Sequence, residues 1–288
     1  MKVAGFSFVK NAIKYYYPIV QSIQSVLPLV DEFVIAVGKS DDETLQLIQS
    51  IDNDKIRIIE TVWDETLREG GRVLAVETDK ALSYVSKDVD WAIYIQGDEV
   101  LHEQDHERIT ASMIKWKNDR KVEGLLFKYH HFYGSYDYIG DTRRWYRNEI
   151  RIIRPHIGVV SYRDAQGFRL NNCKLKVKET GAYIYHYGWV KPPEKQAEKR
   201  QNFGKLWHSD AWVKKYRPEI TFDYSEVESL AKFNGSHPLV MHELINRKNW
   251  KFEVDISRKK FNLKGRVLYA IEKLTGYRLG EYKNYNII

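Results

Sequence analysis

Short apolar runs alternate with amphipathic stretches along the first hundred residues. The runs 3–9, 33–37 and 91–95 are almost continuously apolar, which is typical of strands buried on both faces. Between them, apolar residues recur every three or four positions, as they do after Pro18 and from Arg72 onward. Strands separated by amphipathic helices predict a mostly parallel α/β sheet with helices on both faces.

The pattern is looser in the second half of the chain. Apolar runs within 123–134, 149–162 and 181–190 predict further strands. The segment 192–207, "PPEKQAEKRQNFGKLW", predicts a charged helix that begins at its prolines. The tail from Pro238 onward is basic and aromatic and matches no motif.

Cysteine content and apolar run lengths bear on where the protein resides. The chain has 288 residues and a single cysteine, Cys173, which excludes an internal disulfide and agrees with a reducing compartment. The opening "MKVAGFSFVKNAIK" interrupts its apolar run at Lys10 and Asn11, unlike a signal peptide. No apolar run reaches the length of about 20 residues that a membrane span requires. We therefore expect a cytoplasmic protein.

The formal charge of +7 suits nucleic acid, anionic lipid or a phosphorylated substrate. Much of the excess lies late, as in "SRKKFNLKGR" at 257–266, although such a run is commonly a solvated face. A nucleic-acid-binding protein would interleave basic and aromatic residues on one face. Here 39 acidic residues are scattered among 46 basic ones, so we expect no nucleic acid partner, while that class stays open as an alternative.

Acidic residues follow two of the predicted strands. Asp98 and Glu99 come directly after the run 91–95, in "WAIYIQGDEVLH", and Asp41 follows the run 33–37. Ligands of parallel sheets bind outside the carboxyl ends of the strands, and carboxylates suit Mg²⁺ or Mn²⁺. A solvated turn is the alternative for the first pair. Asp41 would alternatively stabilise a helix N-terminus, since "SDDE" from Ser40 has capping-box spacing.

Two longer segments carry a family resemblance: one begins "GFSFVKNAIK" and ends "KSDDET", and the other is "WAIYIQGDEVLHEQD". The first resembles the opening of the family-2 glycosyltransferases, in the branch of the lipopolysaccharide core enzymes, and the second resembles their metal-binding acidic motif. The segments "RNEIRIIRPHIGVVSYRDAQGF" and "AYIYHYGWVKPPEKQAEK" are similar to later parts of that branch. The resemblance implies the type-A glycosyltransferase fold and an inverting, metal-dependent transferase that uses a nucleotide-sugar donor, Mn²⁺ or Mg²⁺, and a glycan or lipid-linked acceptor.

The resemblance also implies residue roles. Asp98, Glu99 and His186 would bind the metal, and Asp164 would be the base that deprotonates the acceptor. The nucleotide sugar would contact Phe6, Ser7, Asp41, Arg72, Asp79 and Gln96. For His186 a core position is the alternative, and for Asp164 a turn.

Three regions are expected from the resemblance. Residues 1–105 would be the nucleotide-sugar half and 106–215 the acceptor half of one catalytic domain, with 216–288 as a C-terminal extension. The apolar helical pattern within 265–279 suggests a peripheral membrane contact, and core packing explains it equally well.

The sequence differs from the family pattern at two places, and other functions therefore stay open. The family commonly has acidic residues after the second strand, where this chain has Val37 and Gly38, so a non-catalytic sugar-nucleotide-binding homologue remains an alternative. The segment "YRDAQ" around Asp164 is also atypical. A nucleotidyltransferase would need a glycine-rich loop after the first strand, and Gly5 is the only glycine there.

Overall fold

The computed structural model describes residues 1–257 and 259–288. Arg258, which belongs to the predicted basic segment 257–266, lies outside the described residues. The strands are β1 Val3–Val9, β2 Glu32–Gly38, β3 Ile56–Thr61, β4 Trp91–Tyr94, β5 Glu99–Leu101, β6 Gly124–Tyr133, β7 Tyr138–Gly140, β8 Asn148–Ile153, β9 Val159–Tyr162, β10 Gly167–Leu170, β11 Cys173–Lys174, β12 Lys176–Trp189, β13 Leu230–Lys232 and β14 Asn286–Ile287. The α-helices are α1 Ile19–Val26, α2 Thr44–Gln49, α3 Arg72–Ser83, α4 His106–Trp116, α5 Pro193–Gly204, α6 Asp210–Tyr216, α7 His242–Asn246 and α8 Leu263–Thr275.

The central sheet has a parallel half and a mixed half. Strands β3, β2, β1 and β4 lie side by side and all run parallel. Strand β8 joins β4 in the antiparallel sense, and β6 then lies between β8 and the long strand β12. The short strand β5 pairs with the other edge of β12. The predicted α/β fold class is confirmed.

Helices cover both faces of the parallel half, as the unbroken apolar runs predict. On β2, Phe33 and Ile35 face the layer that holds Ile23 of α1, whereas Val34 faces the opposite layer with Leu74 of α3. All but Leu74 are fully buried, and Leu74 is nearly so. Burying a side chain of this size contributes roughly 1.5–3 kcal/mol, so the two layers hold the sheet between them. Helix α3 begins at Arg72, where the pattern placed it.

The start of helix α2 differs from the predicted capping box. The residue before the helix, Glu43, makes no side-chain cap, and the first turn is held instead by Asp42, whose Oδ1 accepts from the Thr44 amide at 3.0 Å. The Ser40 hydroxyl accepts from the Asn11 amide at 2.9 Å. Ser40 thus holds the loop after β1. This contact joins residues 29 positions apart, and local spacing does not reveal it.

None of the helices in the described part of the chain has the length and apolar content that a bilayer crossing needs. The predicted division at residues 105 and 215 stays a prediction.

A buried ion pair joins β5 to β8. Glu99 and Arg151 are both fully buried, and the Arg151 Nε and Nη2 atoms each lie 2.8 Å from a Glu99 carboxylate oxygen. The Tyr129 hydroxyl donates to Oε1 at 2.7 Å and the Gln96 amide donates to Oε2 at 3.2 Å. Both carboxylate oxygens are therefore satisfied inside the protein.

Removing one partner of this pair should be costly. We expect Glu99→Ala to lower the free energy of unfolding by about 3–5 kcal/mol, because it leaves the Arg151 charge buried and unpaired. The control Glu243→Ala removes an exposed ion pair with Arg247 and should cost less than about 1 kcal/mol. Urea unfolding followed by circular dichroism measures both. Equal, small losses in the two variants would contradict this assignment.

Candidate active site

A cleft of about 920 Å³ opens at the carboxyl ends of β1 and β4. Its floor contains Gln96, Asp98 and His186, and helix α5 borders it with Lys199. Most other residues around it are aromatic or charged: Phe8, Lys10, Lys14, Asp41, Trp63, Arg68, Tyr146, Asp164, Arg200, Phe203 and Trp207, with the amide of Asn11 beside them. The cleft has the volume of a small-molecule site and the place in the fold where such sheets bind ligands.

Strand pairing brings Asp98 and His186 together across 88 positions of sequence. In the antiparallel register of β5 and β12, His186 lies opposite Glu99, and the Tyr187 amide donates to the Asp98 carbonyl at 2.8 Å. The Asp98 Oδ2 atom consequently lies 3.8 Å from the His186 Nε2 atom. The Lys199 ammonium lies 3.1 Å from the same oxygen.

A chain of hydrogen bonds determines which nitrogen of His186 carries the proton. The His131 Nε2 atom lies 2.8 Å from the Tyr146 carbonyl oxygen, which only accepts, so this nitrogen is the donor. In neutral His131 the Nδ1 atom is then an acceptor. The Nδ1 atoms of His131 and His186 are 3.1 Å apart, so His186 donates from Nδ1. The Nε2 atom of neutral His186 therefore presents a lone pair to Asp98.

Burial keeps both imidazoles neutral and cations keep the carboxyl ionised. Burial lowers the pKa of His131 and, against the opposing charge of Asp98, also that of His186. Burial alone would raise the pKa of Asp98, but neighbouring positive charge, mainly that of Lys199, outweighs it and holds this pKa below its ordinary value. The floor of the cleft thus places a carboxylate opposite a nitrogen lone pair.

The residues on the floor fit a divalent cation that is shared with a ligand. Among residues 1–257 and 259–288, no group of three or more His, Cys, Asp or Glu side chains could hold a metal ion. Asp98 and His186 nevertheless supply two donors, and Mg²⁺-type sites use one or two carboxylates completed by substrate phosphates. A Cβ at Gly188 would lie 2.6 Å from His186 Nε2 and 2.7 Å from Asp98 Oδ2. Glycine therefore keeps the space between the two donors clear.

Three more of the predicted site residues lie at the cleft. Gln96 donates from Nε2 to the Ala165 carbonyl at 3.2 Å, which fastens the loop that carries Asp164 to the end of β4. Burial raises the pKa of Asp164. The backbone φ angles of Arg163 and Ala165, on either side of it, are 55° and 61°, a conformation that costs energy and is enriched at functional sites. Asp41 lines the opposite rim.

The structure corrects the predicted positions of Phe6 and Ser7. Both lie in the middle of β1 rather than at its end and are fully buried. Phe6 packs against Tyr94 and Phe168, and the Ser7 hydroxyl donates to the Ile95 carbonyl at 2.6 Å. The strand continues to Val9, so Phe8 and the residues after it face the cleft instead.

Glu99, Asp79 and Arg72 also lie away from the cleft. Adjacent residues at the start of a strand point to opposite sides, so Asp98 faces the cleft and Glu99 points inward to Arg151. The Glu99 carboxylate is therefore not available to a metal. Asp79 accepts from the Ser161 amide at 2.7 Å, and burial raises its pKa to about 6. Arg72 is exposed on the first turn of α3.

Several residues of the site were missed by the sequence reasoning. Lys199 is one cation among many in a charged segment, and nothing local distinguishes it. Gly188 lies two residues after His186 and so on the same face of the strand. That spacing could have indicated that Gly188 adjoins the His186 side chain. Trp63 follows β3, and its indole Nε1 would lie 2.4 Å from a Cβ at position 38. The indole therefore explains why glycine, rather than an acidic residue, follows Val37.

No protein-family model and no curated protein matches the chain. Solved structures similar to it include S. aureus TarS, with 15% identity and a TM-score of 0.40 over 74% of this chain and 41% of that chain. Glucosyl-3-phosphoglycerate synthase from Mycobacterium tuberculosis, solved with Mg²⁺ and uridine diphosphate, has 18% identity and a TM-score of 0.30 over 46% of this chain and 43% of that one. The 4-diphosphocytidyl-2C-methyl-D-erythritol synthase from Anaerococcus prevotii has 11% identity and a TM-score of 0.40 over 74% and 96%. The chain thus spans less than half of the TarS chain, and TM-scores below 0.5 assign no ligand or reaction to it.

The tautomer assignment is directly testable. At pH 7 we expect His186 to carry its proton on Nδ1 and His131 on Nε2. The reason is that the Tyr146 carbonyl can only accept, which fixes the direction of both hydrogen bonds. Long-range ¹H–¹⁵N correlation spectra of the ¹⁵N-histidine protein distinguish the two tautomers. A proton on His186 Nε2 at pH 7 would refute the chain of donors.

Proposed function

We propose that this protein is an inverting glycosyltransferase that moves a sugar from a nucleotide-diphosphate donor to a hydroxyl acceptor. The observation that carries the proposal is the pairing of Asp98 with the His186 Nε2 lone pair on the floor of the cleft. Two electron-rich groups that face each other stabilise a cation between them. A cation in that place, beside Lys199, is suited to the diphosphate of a nucleotide sugar.

Mn²⁺ or Mg²⁺ is the proposed cofactor, held by Asp98, His186 and the donor diphosphate. When bound, such an ion neutralises negative charge on the departing diphosphate. His131 would orient His186 as a metal-ligating histidine is commonly oriented, through a hydrogen bond at its other ring nitrogen.

The chain's own residues would perform the remaining steps. Asp164 accepts the proton of the acceptor hydroxyl, and the freed oxygen attacks the anomeric carbon while the bond to the diphosphate oxygen breaks on the opposite face. The Lys199 ammonium stabilises the charge that grows on the diphosphate. The raised pKa of Asp164 suits a base, since a stronger base removes the proton more readily.

The acceptor is proposed to belong to cell-surface polysaccharide or lipopolysaccharide synthesis at the inner face of a membrane. Support comes from helix α8, on which Leu263, Val267 and Leu274 lie on one face and are 82%, 60% and 86% exposed. Lys264 and Lys273 flank this apolar face. Exposed apolar residues beside lysines are typical of helices that lie on an anionic membrane surface.

Filling the space between the two proposed metal donors should abolish donor binding. We expect Gly188→Ala to fold normally but to lose the thermal stabilisation that UDP and Mn²⁺ together confer, because its methyl group displaces Asp98 or His186. Bound ligand at about 100 times its dissociation constant stabilises a protein by roughly 2.7 kcal/mol, which a thermal-shift assay resolves.

Gly97→Ala is the matched control for this experiment. A Cβ at position 97 would meet its nearest atom, in Ile19, at an ordinary 3.5 Å, so the stabilisation by UDP and Mn²⁺ should persist. Wild-type stabilisation in the Gly188→Ala protein would exclude the proposed cation site.

The base role of Asp164 predicts a pH profile. Because a base must be ionised, turnover of a nucleotide sugar should fall as the pH drops through the pKa of Asp164, which lies above the ordinary 3.8. Asp164→Asn should lower kcat by about 10²–10⁴-fold without weakening UDP binding. The exposed control Asp88→Asn should keep the wild-type profile, and an unchanged profile in Asp164→Asn would exclude the role.

Membrane contact through α8 is tested by vesicle sedimentation. We expect the wild-type protein to bind phosphatidylglycerol vesicles and the triple variant Leu263→Ser, Val267→Ser, Leu274→Ser to lose most of this binding. The control Val62→Ser, Ile220→Ser, Leu239→Ser removes equally exposed apolar residues elsewhere and should bind normally. Equal binding by both triple variants would exclude α8 as the contact.

A further inference from the structure

A second cleft, of about 520 Å³, adjoins the first. It lies between the segment 143–149, the loop 162–166 and the chain that follows α8, from Arg278 to Tyr285. Tyr146, Asp164 and Gln166 line both clefts. A molecule in the second cleft would therefore lie beside Asp164, next to the contents of the first.

Arginines dominate the charge of this second cleft: Arg143, Arg144, Arg147, Arg163 and Arg278 line it, against the carboxyls of Glu149, Asp164 and Glu281. Three of the arginines are paired with the C-terminal segment through Glu272 or Glu281. Arg144 and Arg163 have no ion-pair partner within residues 1–257 and 259–288, and both side chains are exposed at the rim. The Arg163 guanidinium lies over the Tyr162 ring, with Cζ 5.1 Å from the ring centroid. Neither guanidinium is neutralised by a carboxylate, and both are donors suited to a phosphate or a carboxylate.

The wall of the second cleft also holds buried oxygen atoms without partners. Glu149 is 2% exposed, and its Oε1 atom accepts from Gln166 Nε2 at 2.8 Å. The Glu149 Oε2 atom and the Asn284 Oδ1 atom have no hydrogen-bond partner among the described residues. Burial raises the pKa of Glu149 to about 7. Both atoms are closed to solvent, so a molecule in the second cleft would contact the exposed arginines at its rim rather than these oxygens.

We propose that the second cleft binds the acceptor, and that the acceptor is an anionic glycan whose phosphate or carboxylate contacts Arg144 and Arg163. Its reacting hydroxyl would reach Asp164, which lines both clefts. This inference rests on the proposed function and names the substrate class of the same enzyme.

The experiment compares binding of glucose 6-phosphate and methyl glucoside by isothermal titration, with and without UDP. The wild-type protein should bind the sugar phosphate and not the neutral sugar. Arg144→Ala with Arg163→Ala should weaken that binding by about 10-fold or more, because hydrogen bonds to a charged partner are strong. The control Arg120→Ala with Lys121→Ala removes the same charge from an exposed turn that lines neither cleft and should bind as the wild type does.

Several results would overturn the proposal. Equal binding of both sugars, or equal affinity in the test and control variants, would show that no arginine site selects an anion. Displacement of the sugar phosphate by UDP would assign the arginines to the donor diphosphate. Arginine-dependent binding of phosphatidylglycerol vesicles, without binding of the sugar phosphate, would assign them to a lipid headgroup. If UDP fails to bind while the arginine-dependent sugar phosphate site persists, the donor proposal fails and the anion site stands.

Discussion

The antiparallel pairing of β5 with β12 is the interaction on which the cleft depends. It places His186 opposite Glu99 and carries Asp98 to within 3.8 Å of the His186 imidazole. The buried ion pair between Glu99 and Arg151 fixes β5 from the side away from the cleft. A three-residue strand has few hydrogen bonds of its own, so this buried anchor limits the positions that Asp98 can adopt.

Electrostatics give the cleft its chemical character. Neutral His186 and ionised Asp98 face one another, and Lys199 supplies a positive charge beside them. The consecutive carboxylates of Asp98 and Glu99 thus have separate environments, one beside a cleft and the other inside the sheet. The second cleft is also positively charged, through its arginines, and Asp164 lines both clefts.

Local pattern was sufficient for the parallel half of the fold. The apolar runs marked β1, β2 and β4, and the helical spacing placed the start of α3 at Arg72. Asp98 was predicted as a site residue because it follows a buried strand, and the structure places it at the cleft. Glu99 was assigned to the same role because the inward turn of its side chain becomes visible only when β5 is known.

The remaining site residues depend on long-range contacts that spacing does not encode. Lys199 reaches Asp98 from a helix about a hundred positions away. His131 contacts His186 because β6 pairs with β12. The boundaries of β1 explain the misplaced Phe6 and Ser7, since a run of apolar residues does not mark where its strand meets the cleft. The need for glycine at position 38 is likewise a long-range effect, because the Trp63 indole occupies the space that a Cβ would take.

Anomalous scattering from crystals grown with UDP and Mn²⁺ would locate the cation relative to Asp98 and His186. We expect a manganese peak about 2 Å from both an Asp98 carboxylate oxygen and the His186 Nε2 atom, with a diphosphate oxygen in the same coordination shell. UDP bound in the cleft with no manganese between these two side chains would exclude the proposed cation site.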